Sequence, residues 1–129
     1  MARKVLIVDD EPNIVTSLEF LMRRCGYEVA VARNGEEALG LVASFLPDLV
    51  LLDVMMPIKS GYDVCRAMRE NPAWRHVKIV VLSAKGREAE VSKGLSLGAD
   101  AYVTKPFSSR ELTRQVGELL GEGDTPRSA

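Results

Sequence analysis

The fold is decided by residues 5–12, which read VLIVDDEP. The four apolar residues predict a short buried strand, because an uninterrupted apolar run of this length is typical of parallel strands covered on both faces. Two aspartates, Asp9 and Asp10, follow the strand directly, and Pro12 suits the first turn of a helix, where its missing N–H is not needed. The stretch therefore predicts a strand, a carboxylate-rich turn and a helix in immediate succession.

The same succession returns four more times along the chain. Strands are predicted at residues 5–8, 28–32, 49–52, 79–82 and 101–103. Helices are predicted at residues 12–25, 36–45, 62–69, 87–97 and from Ser108 or Ser109 to Leu120, with Asn34-Gly35 as the turn before the second helix. Five alternating units with short connections predict a doubly wound α/β fold, in which helices cover both faces of one parallel sheet.

Composition limits the class of protein. The chain has 129 residues, of which 47% are hydrophobic and 27% charged, as expected for a single globular domain. We predict this domain at residues 1–120 and a disordered tail at residues 121–129, where glycine, proline, serine and charge replace apolar residues. The net charge of -1 gives no electrostatic case for direct nucleic-acid binding.

The cysteines and the apolar runs of the sequence indicate the cellular compartment of the protein. The two cysteines, Cys25 and Cys65, fall in predicted helices and are expected to be half-buried thiols in a reducing compartment. No apolar run approaches the roughly 20 residues of a membrane-spanning helix, and the first residues enter a strand without the apolar segment of a signal peptide. We therefore expect a cytoplasmic protein with no membrane contact.

Polar side chains follow the predicted strands at the points where those strands end: Asp9, Asp10, Asp53, Ser83 and Lys105. Because the carboxyl ends of parallel strands share one edge of the sheet, we expect these side chains to meet there. Clustered carboxylates favour a counter-cation, and oxygen ligands beside a phosphate suit Mg²⁺. Asp53 follows the most apolar strand and is the candidate nucleophile for an aspartyl-phosphate, with Lys105 and Ser83 as partners of the phosphoryl oxygens.

Four short motifs occur in order and carry a resemblance to a known family. They are Val8–Pro12 (VDDEP), Asp53–Pro57 (DVMMP) followed by Gly61, Ser83-Ala84, and Lys105–Phe107 (KPF). Across Lys4–Leu120 the chain resembles the response-regulator receiver domain of two-component signalling. The resemblance implies a (βα)5 flavodoxin-like fold with strand order 2-1-3-4-5.

The resemblance also assigns the chemistry of the acidic residues. Asp53 would accept a phosphoryl group from a phosphohistidine on a histidine kinase or phosphotransfer protein. Asp10 would bind Mg²⁺ directly and Asp9 largely through water, and Asp53 and the backbone carbonyl of Met55 would complete the protein ligands. His76 is the only histidine and falls in a polar loop, so the donor is expected on another protein.

The remaining implied roles concern signal transmission. Ser83 and Lys105 would bind the phosphoryl oxygens, and Ser83 and Tyr102 would act as the switch. Phosphorylation would shift the face formed by the last two strands and the last two helices, and this change would regulate a downstream protein target. The domain would act as a monomer or as a phosphorylation-dependent dimer. The family pattern further implies a cis bond between Lys105 and Pro106. Such a domain is not an enzyme on other substrates, since it catalyses only its own phosphorylation and dephosphorylation.

Three alternatives remain at this point. A Mg²⁺-dependent aspartyl-phosphate phosphatase or phosphotransferase on a small substrate usually has Asp-x-Asp at its strand end and a covering cap, whereas this chain has Asp9-Asp10 and no insertion long enough for a cap. A nucleotide-binding domain usually has a glycine-rich loop after the first strand, which is not found here. A docking module without phosphorylation is distinguished by metal-dependent labelling of Asp53.

Overall fold

A computed structural model describes residues 3–53, 60–84, 88–105 and 107–121. The strands are β1 (Lys4–Val8), β2 (Glu28–Ala32), β3 (Leu49–Asp53), β4 (Lys78–Ala84) and β5 (Ala101–Lys105). They form one sheet in the order β2-β1-β3-β4-β5, and every neighbouring pair is parallel. The predicted fold class and strand order are therefore confirmed.

The helices alternate with the strands as predicted, and their ends differ from the predicted ones by at most one residue. They are α1 (Pro12–Arg24), α2 (Gly35–Phe45), α3 (Gly61–Glu70), α4 (Glu88–Ser96) and α5 (Ser109–Leu119). Gly35 is the first residue of α2, so the predicted Asn34-Gly35 turn is wrong; the Asn34 side chain instead accepts a hydrogen bond from the Glu37 N–H and caps the helix. A single 3-10 turn at Pro72–Trp74 was not predicted.

The sheet separates two hydrophobic cores. Every residue of β3 is buried, and its side chains alternate between the faces because successive residues of a strand point in opposite directions. Leu49 and Leu51 pack in the core shared with α1 and α5, whereas Val50 and Leu52 pack in the core shared with α2 and α3. Covering both faces explains why the central strand is uninterruptedly apolar up to Asp53. Within the described ranges, no helix has the length and apolar character needed to span a membrane.

The two cysteines differ in environment. Cys25 is half-buried, as predicted, but Cys65 is only 1% exposed, so the prediction of a second half-buried thiol is wrong. Cys65 lies with Val64 and Met68 on the face of α3 that packs on the sheet. Burial raises the pKa of the Cys65 thiol, an effect that the nearby Arg69 charge opposes.

Some of the residues singled out from the sequence lie outside the described ranges. They are Met55 and Pro57 in the segment after β3, Pro106 with its peptide bond to Lys105, and residues 122–129 of the predicted tail. The described part of the chain ends at Gly121, which follows α5 and has φ +78°.

Candidate functional site

Three carboxylates meet at the carboxyl edge of the sheet. Asp9 follows β1 directly and Asp53 ends β3, and the parallel pairing of Val8 with Leu52 brings these two aspartates level with each other. One carboxylate oxygen from each of Asp9, Asp10 and Asp53 lies within 4.8 Å of the others. Asp9 is fully buried, Asp53 is 6% exposed, and Asp10 is exposed. The acidic residues predicted to converge therefore do so, with Asp10 on the solvent side.

Both oxygens of the buried Asp9 carboxylate have hydrogen-bond donors. The backbone N–H of Glu11 donates to Asp9 Oδ1 at 2.9 Å, and the Lys105 ammonium donates to Asp9 Oδ2 at 3.1 Å. The Asp9 backbone N–H in turn donates to the carbonyl of Ala32 at the end of β2. These contacts fix the orientation of the carboxylate. The contact from Glu11 was not predicted, because it uses a backbone N–H that any non-proline residue could supply.

Lys105 ends β5, the strand at one edge of the sheet, and its side chain reaches the acidic residues at the carboxyl ends of β1 and β3. Its Nζ lies 3.6 Å from Asp53 Oδ1 as well as 3.1 Å from Asp9 Oδ2, and its side chain is only 22% exposed. Ser83 is 2% exposed and lies one residue beyond Leu82, the β4 partner of Asp53. We call Asp9, Asp10, Asp53 and Lys105 the acidic site; three carboxylates and one ammonium give it a formal charge of -2 when all are ionised.

The predicted switch tyrosine lies on the neighbouring surface. Tyr102 is on β5 opposite Val81 of β4 and is 44% exposed. It lines a surface groove of about 440 Å³ between β5 and α5, together with Phe107, Glu111 and other residues of those elements. The groove is lined by a different set of residues from the acidic site, so the described structure presents two distinct surfaces joined by β4 and β5.

The arrangement of the acidic site limits its chemistry. The carboxylate oxygens of Asp9, Asp10 and Asp53 could hold a divalent cation, because hard cations prefer oxygen ligands and the formal charge of the site is negative. Asp53 offers a nucleophilic oxygen at the end of the most buried strand, and Lys105 supplies a positive charge beside it. Such a set is suited to transfer of a phosphoryl group, which depends on positioning and neutralisation of charge.

Comparisons with known proteins agree with this geometry. Residues 5–117 match the family model described as the response regulator receiver domain. A protein from Chloroflexus aurantiacus assigned as a response regulator is 36% identical, with a TM-score of 0.91 over 94% of this chain and 99% of that chain. The receiver domain of a signal transduction histidine kinase from Syntrophus aciditrophicus is 32% identical, with a TM-score of 0.86 over 99% of this chain and 97% of that chain.

A third solved structure contains a metal. The receiver domain of a sensor histidine kinase from Pseudomonas aeruginosa PAO1 is 29% identical and has a TM-score of 0.86, covering 94% of this chain and 99% of that chain. That protein has a magnesium ion coordinated in its active site cleft. The family match over most of the chain, the strand order and the solved relatives lead to one conclusion: this chain belongs to the response regulator receiver domain family.

Proposed function

We propose that this receiver domain is a signalling switch that accepts a phosphoryl group on Asp53 from a phosphohistidine of a histidine kinase or phosphotransfer protein. The observation that supports this proposal best is the Lys105 ammonium, which lies 3.6 Å from Asp53 and 3.1 Å from Asp9. A lysine whose ammonium lies beside a nearly buried carboxylate is well positioned to bind the oxygens of an incoming phosphoryl group. Family membership supports the same function.

The chemical step forms one bond and breaks one. An Asp53 carboxylate oxygen attacks the phosphorus of the phosphohistidine, and the bond between phosphorus and the imidazole nitrogen breaks. The electron pair of that bond returns to the imidazole nitrogen of the donor, and the product is an acyl phosphate on Asp53. Lys105 and the Ser83 hydroxyl bind phosphoryl oxygens, and hydrolysis of the acyl phosphate later restores the carboxylate. The domain would thus catalyse only its own phosphorylation and dephosphorylation.

The acidic residues fit a magnesium ion. Mg²⁺ retains water ligands and usually takes one or two carboxylates from the protein. Asp9 is committed to Glu11 and Lys105 through both of its oxygens, so it would contribute through water, whereas the exposed Asp10 and the acceptor Asp53 would bind directly. When bound, the ion would neutralise negative charge that develops on the phosphoryl oxygens. The backbone carbonyl of Met55 stays a predicted further ligand.

Signal transmission would begin at Ser83 and Tyr102. Ser83 is on β4, and Tyr102 is on the neighbouring β5 at the edge of the described sheet. Movement of Ser83 toward a phosphoryl oxygen would change the space available to Tyr102, whose 44% exposure places it on the surface with α5. A downstream protein target would recognise the changed face of β4, α4, β5 and α5, and the domain would act as a monomer or as a phosphorylation-dependent dimer.

The proposal is tested by incubating the protein with Mg²⁺ and acetyl phosphate, followed by intact-mass and peptide mass spectrometry. We expect one added phosphoryl group on the peptide that contains Asp53, no addition in Asp53→Asn, and little addition when EDTA replaces Mg²⁺. His76→Gln is the matched control, because it removes the exposed lone histidine outside the site and should be labelled like the wild type. Labelling that persists in Asp53→Asn would overturn the proposal.

A further inference from the structure

One arginine near the carboxyl end of α3 joins segments that are distant in sequence. The Arg69 guanidinium donates hydrogen bonds to the carbonyls of Gly98 and Val77, both at 2.8 Å, and to the carbonyl of Arg75 at 3.2 Å. It also donates to Asp100 Oδ2 at 2.8 Å. The Arg69 side chain is 19% exposed; its bonds to Gly98 and Val77 are partly buried, and those to Arg75 and Asp100 are exposed. A single side chain therefore connects α3, the start of β4 and the connection between α4 and β5.

Asp100 fixes the same connection to the sheet a second time. Its Oδ2 accepts from the backbone N–H of Ile79 at 2.8 Å, in addition to the Arg69 guanidinium. Its own backbone N–H donates to the carbonyl of Ile79 at 2.8 Å. Ile79 lies in β4, so the residue just before β5 is held to β4 by both its backbone and its side chain.

Close packing leaves little freedom at this point. Gly98 has φ +113°, a conformation that residues with a Cβ adopt rarely. A Cβ on Gly98 would lie 2.5 Å from Cγ of Arg69, so the backbone and the arginine stem are in direct contact. Displacing Gly98–Asp100 would break several charge-assisted hydrogen bonds at once, which makes the connection a rigid one.

The other features of α4 favour movement. Its sequence, EAEVSKGLS, contains Ser92, Gly94 and Ser96, which are poor or neutral helix formers. Its exposed Lys93, in the last turn, lies over the ring of Tyr62 in α3 at 4.4 Å from the centroid, which adds a contact beside the carboxyl end of the helix. In sequence its amino end follows β4, the strand that carries Ser83. The helix is thus firmly held at one end and follows the phosphoryl-binding strand at the other.

We propose that Arg69, Gly98 and Asp100 form a clamp that acts as a fixed pivot at the carboxyl end of α4. Phosphorylation would then tilt the helix about this end and displace its amino end most. The proposal rests on the phosphorylation of Asp53 proposed above and adds the residues that determine how the signal reaches the surface. Because the clamp is about one helix length from the amino end of α4, roughly 13 Å at 1.5 Å per residue, a rotation about the clamp displaces the amino end of α4 more than its carboxyl end.

The clamp is first tested in the free protein by residue-resolved NMR amide exchange. In Arg69→Met we expect the amides of Ile79 and Asp100 to exchange at least about 10-fold faster than in the wild type. These two residues are hydrogen-bonded to each other, and the variant removes the guanidinium that anchors the Asp100 carboxylate. Arg66→Met is the matched control: Arg66 is on the same helix, is exposed and lies 3.8 Å from Asp63, a longer contact than those of Arg69. Equal exchange in the two variants would overturn the clamp.

Should Arg69→Met fail to fold, Asp100→Asn takes its place, because the amide oxygen of asparagine can still accept from Ile79. We expect accelerated exchange of Gly98 and its neighbours in that variant, and wild-type rates there would contradict the clamp just as clearly. Thermal unfolding by circular dichroism establishes which variants are folded at the temperature of the exchange experiment.

The pivot is then tested with Mg²⁺ and beryllofluoride, which mimics an acyl phosphate. In the wild type we expect amide shifts at Ser83 and at residues 88–91, and smaller shifts with unchanged protection at residues 98–100. In Arg69→Met the shifts at residues 98–100 should be larger than in the wild type, and their protection should fall. If Ser83 shifts while wild-type residues 98–100 lose protection, the pivot is wrong and the proposed function stands. If nothing shifts at Ser83, the proposed function fails and the pivot fails with it.

Discussion

Neutralising Asp10 should stabilise the metal-free protein. Its carboxylate oxygen lies within 4.8 Å of oxygens of both Asp9 and Asp53. Two unit charges at that distance repel each other by about 0.9 kcal/mol in water and about 3.5 kcal/mol at an effective dielectric constant of 20. Asp10 is exposed, so the lower value applies to each of its two pairs. Attraction to Lys105 and the favourable dipole of the following α1 oppose this gain, and we expect Asp10→Asn to raise the free energy of unfolding by about 1 kcal/mol.

Urea denaturation in EDTA measures this difference. With a denaturant slope of about 2 kcal/mol/M, the transition midpoint should rise by roughly 0.5 M. Mg²⁺ should stabilise the wild type, by about 1.4 kcal/mol when the free ion is tenfold above its dissociation constant, and should stabilise Asp10→Asn much less. Glu28→Gln, which removes an exposed carboxylate on β2, is the control and should change neither quantity. A lower midpoint for Asp10→Asn in EDTA, or an undiminished effect of Mg²⁺, would refute the reasoning.

Three further predictions concern other parts of the molecule. Leu46 directly follows α2, has φ 56° and is 63% exposed. Because this left-handed conformation is unfavourable for a residue with a Cβ, Leu46→Gly should raise the free energy of unfolding by roughly 0.5–1 kcal/mol in the same urea assay, and a lower value would contradict this reasoning. Because the pKa of Cys65 is raised in the folded state, the stability that its protonated thiol contributes is complete below the ordinary thiol pKa of 9.0 and is lost as the pH rises through the folded pKa. The unfolding free energies of the wild type and Cys65→Ala should therefore converge above that pH, and a constant difference would show that the thiol does not titrate as inferred. Phe20 of α1 is 62% exposed, and we predict that it helps to dock the helix that carries the phosphohistidine of the donor. Phe20→Ala should then slow phosphotransfer from a phosphorylated donor protein while leaving labelling by acetyl phosphate and stability unchanged, and equal transfer rates would contradict the docking role.

Much of the acidic site could be predicted from the sequence, and the reason is geometric. In a parallel sheet every strand runs the same way, so the residue that follows each apolar run reaches the same edge. Asp9, Asp53 and Lys105 therefore converge, although 96 residues separate the first from the last. The apolar character of β3 also indicated its central position, since a strand covered on both faces cannot alternate with polar residues.

Contacts made by backbone atoms could not be predicted in this way. Arg69 binds three main-chain carbonyls, and every residue type carries that group, so no pattern in the sequence distinguishes its partners. The burial of Cys65 does not follow from the predicted helix alone, because the existence of a helix does not specify which of its faces points inward. Asn34-Gly35 was assigned to a turn, since the same residue pair serves both turns and helix starts.

The alternation along β3 has a consequence for the redesign of signalling specificity. Leu51 supports the layer that holds α1 and α5, and Leu52 supports the layer that holds α2 and α3. A change of volume at one of these neighbouring positions should disturb first the layer that its own side chain contacts, because each core is close-packed around that side chain. Core substitutions beneath α1 and α5 can thus be designed with the layer beneath α2 and α3 kept as the scaffold.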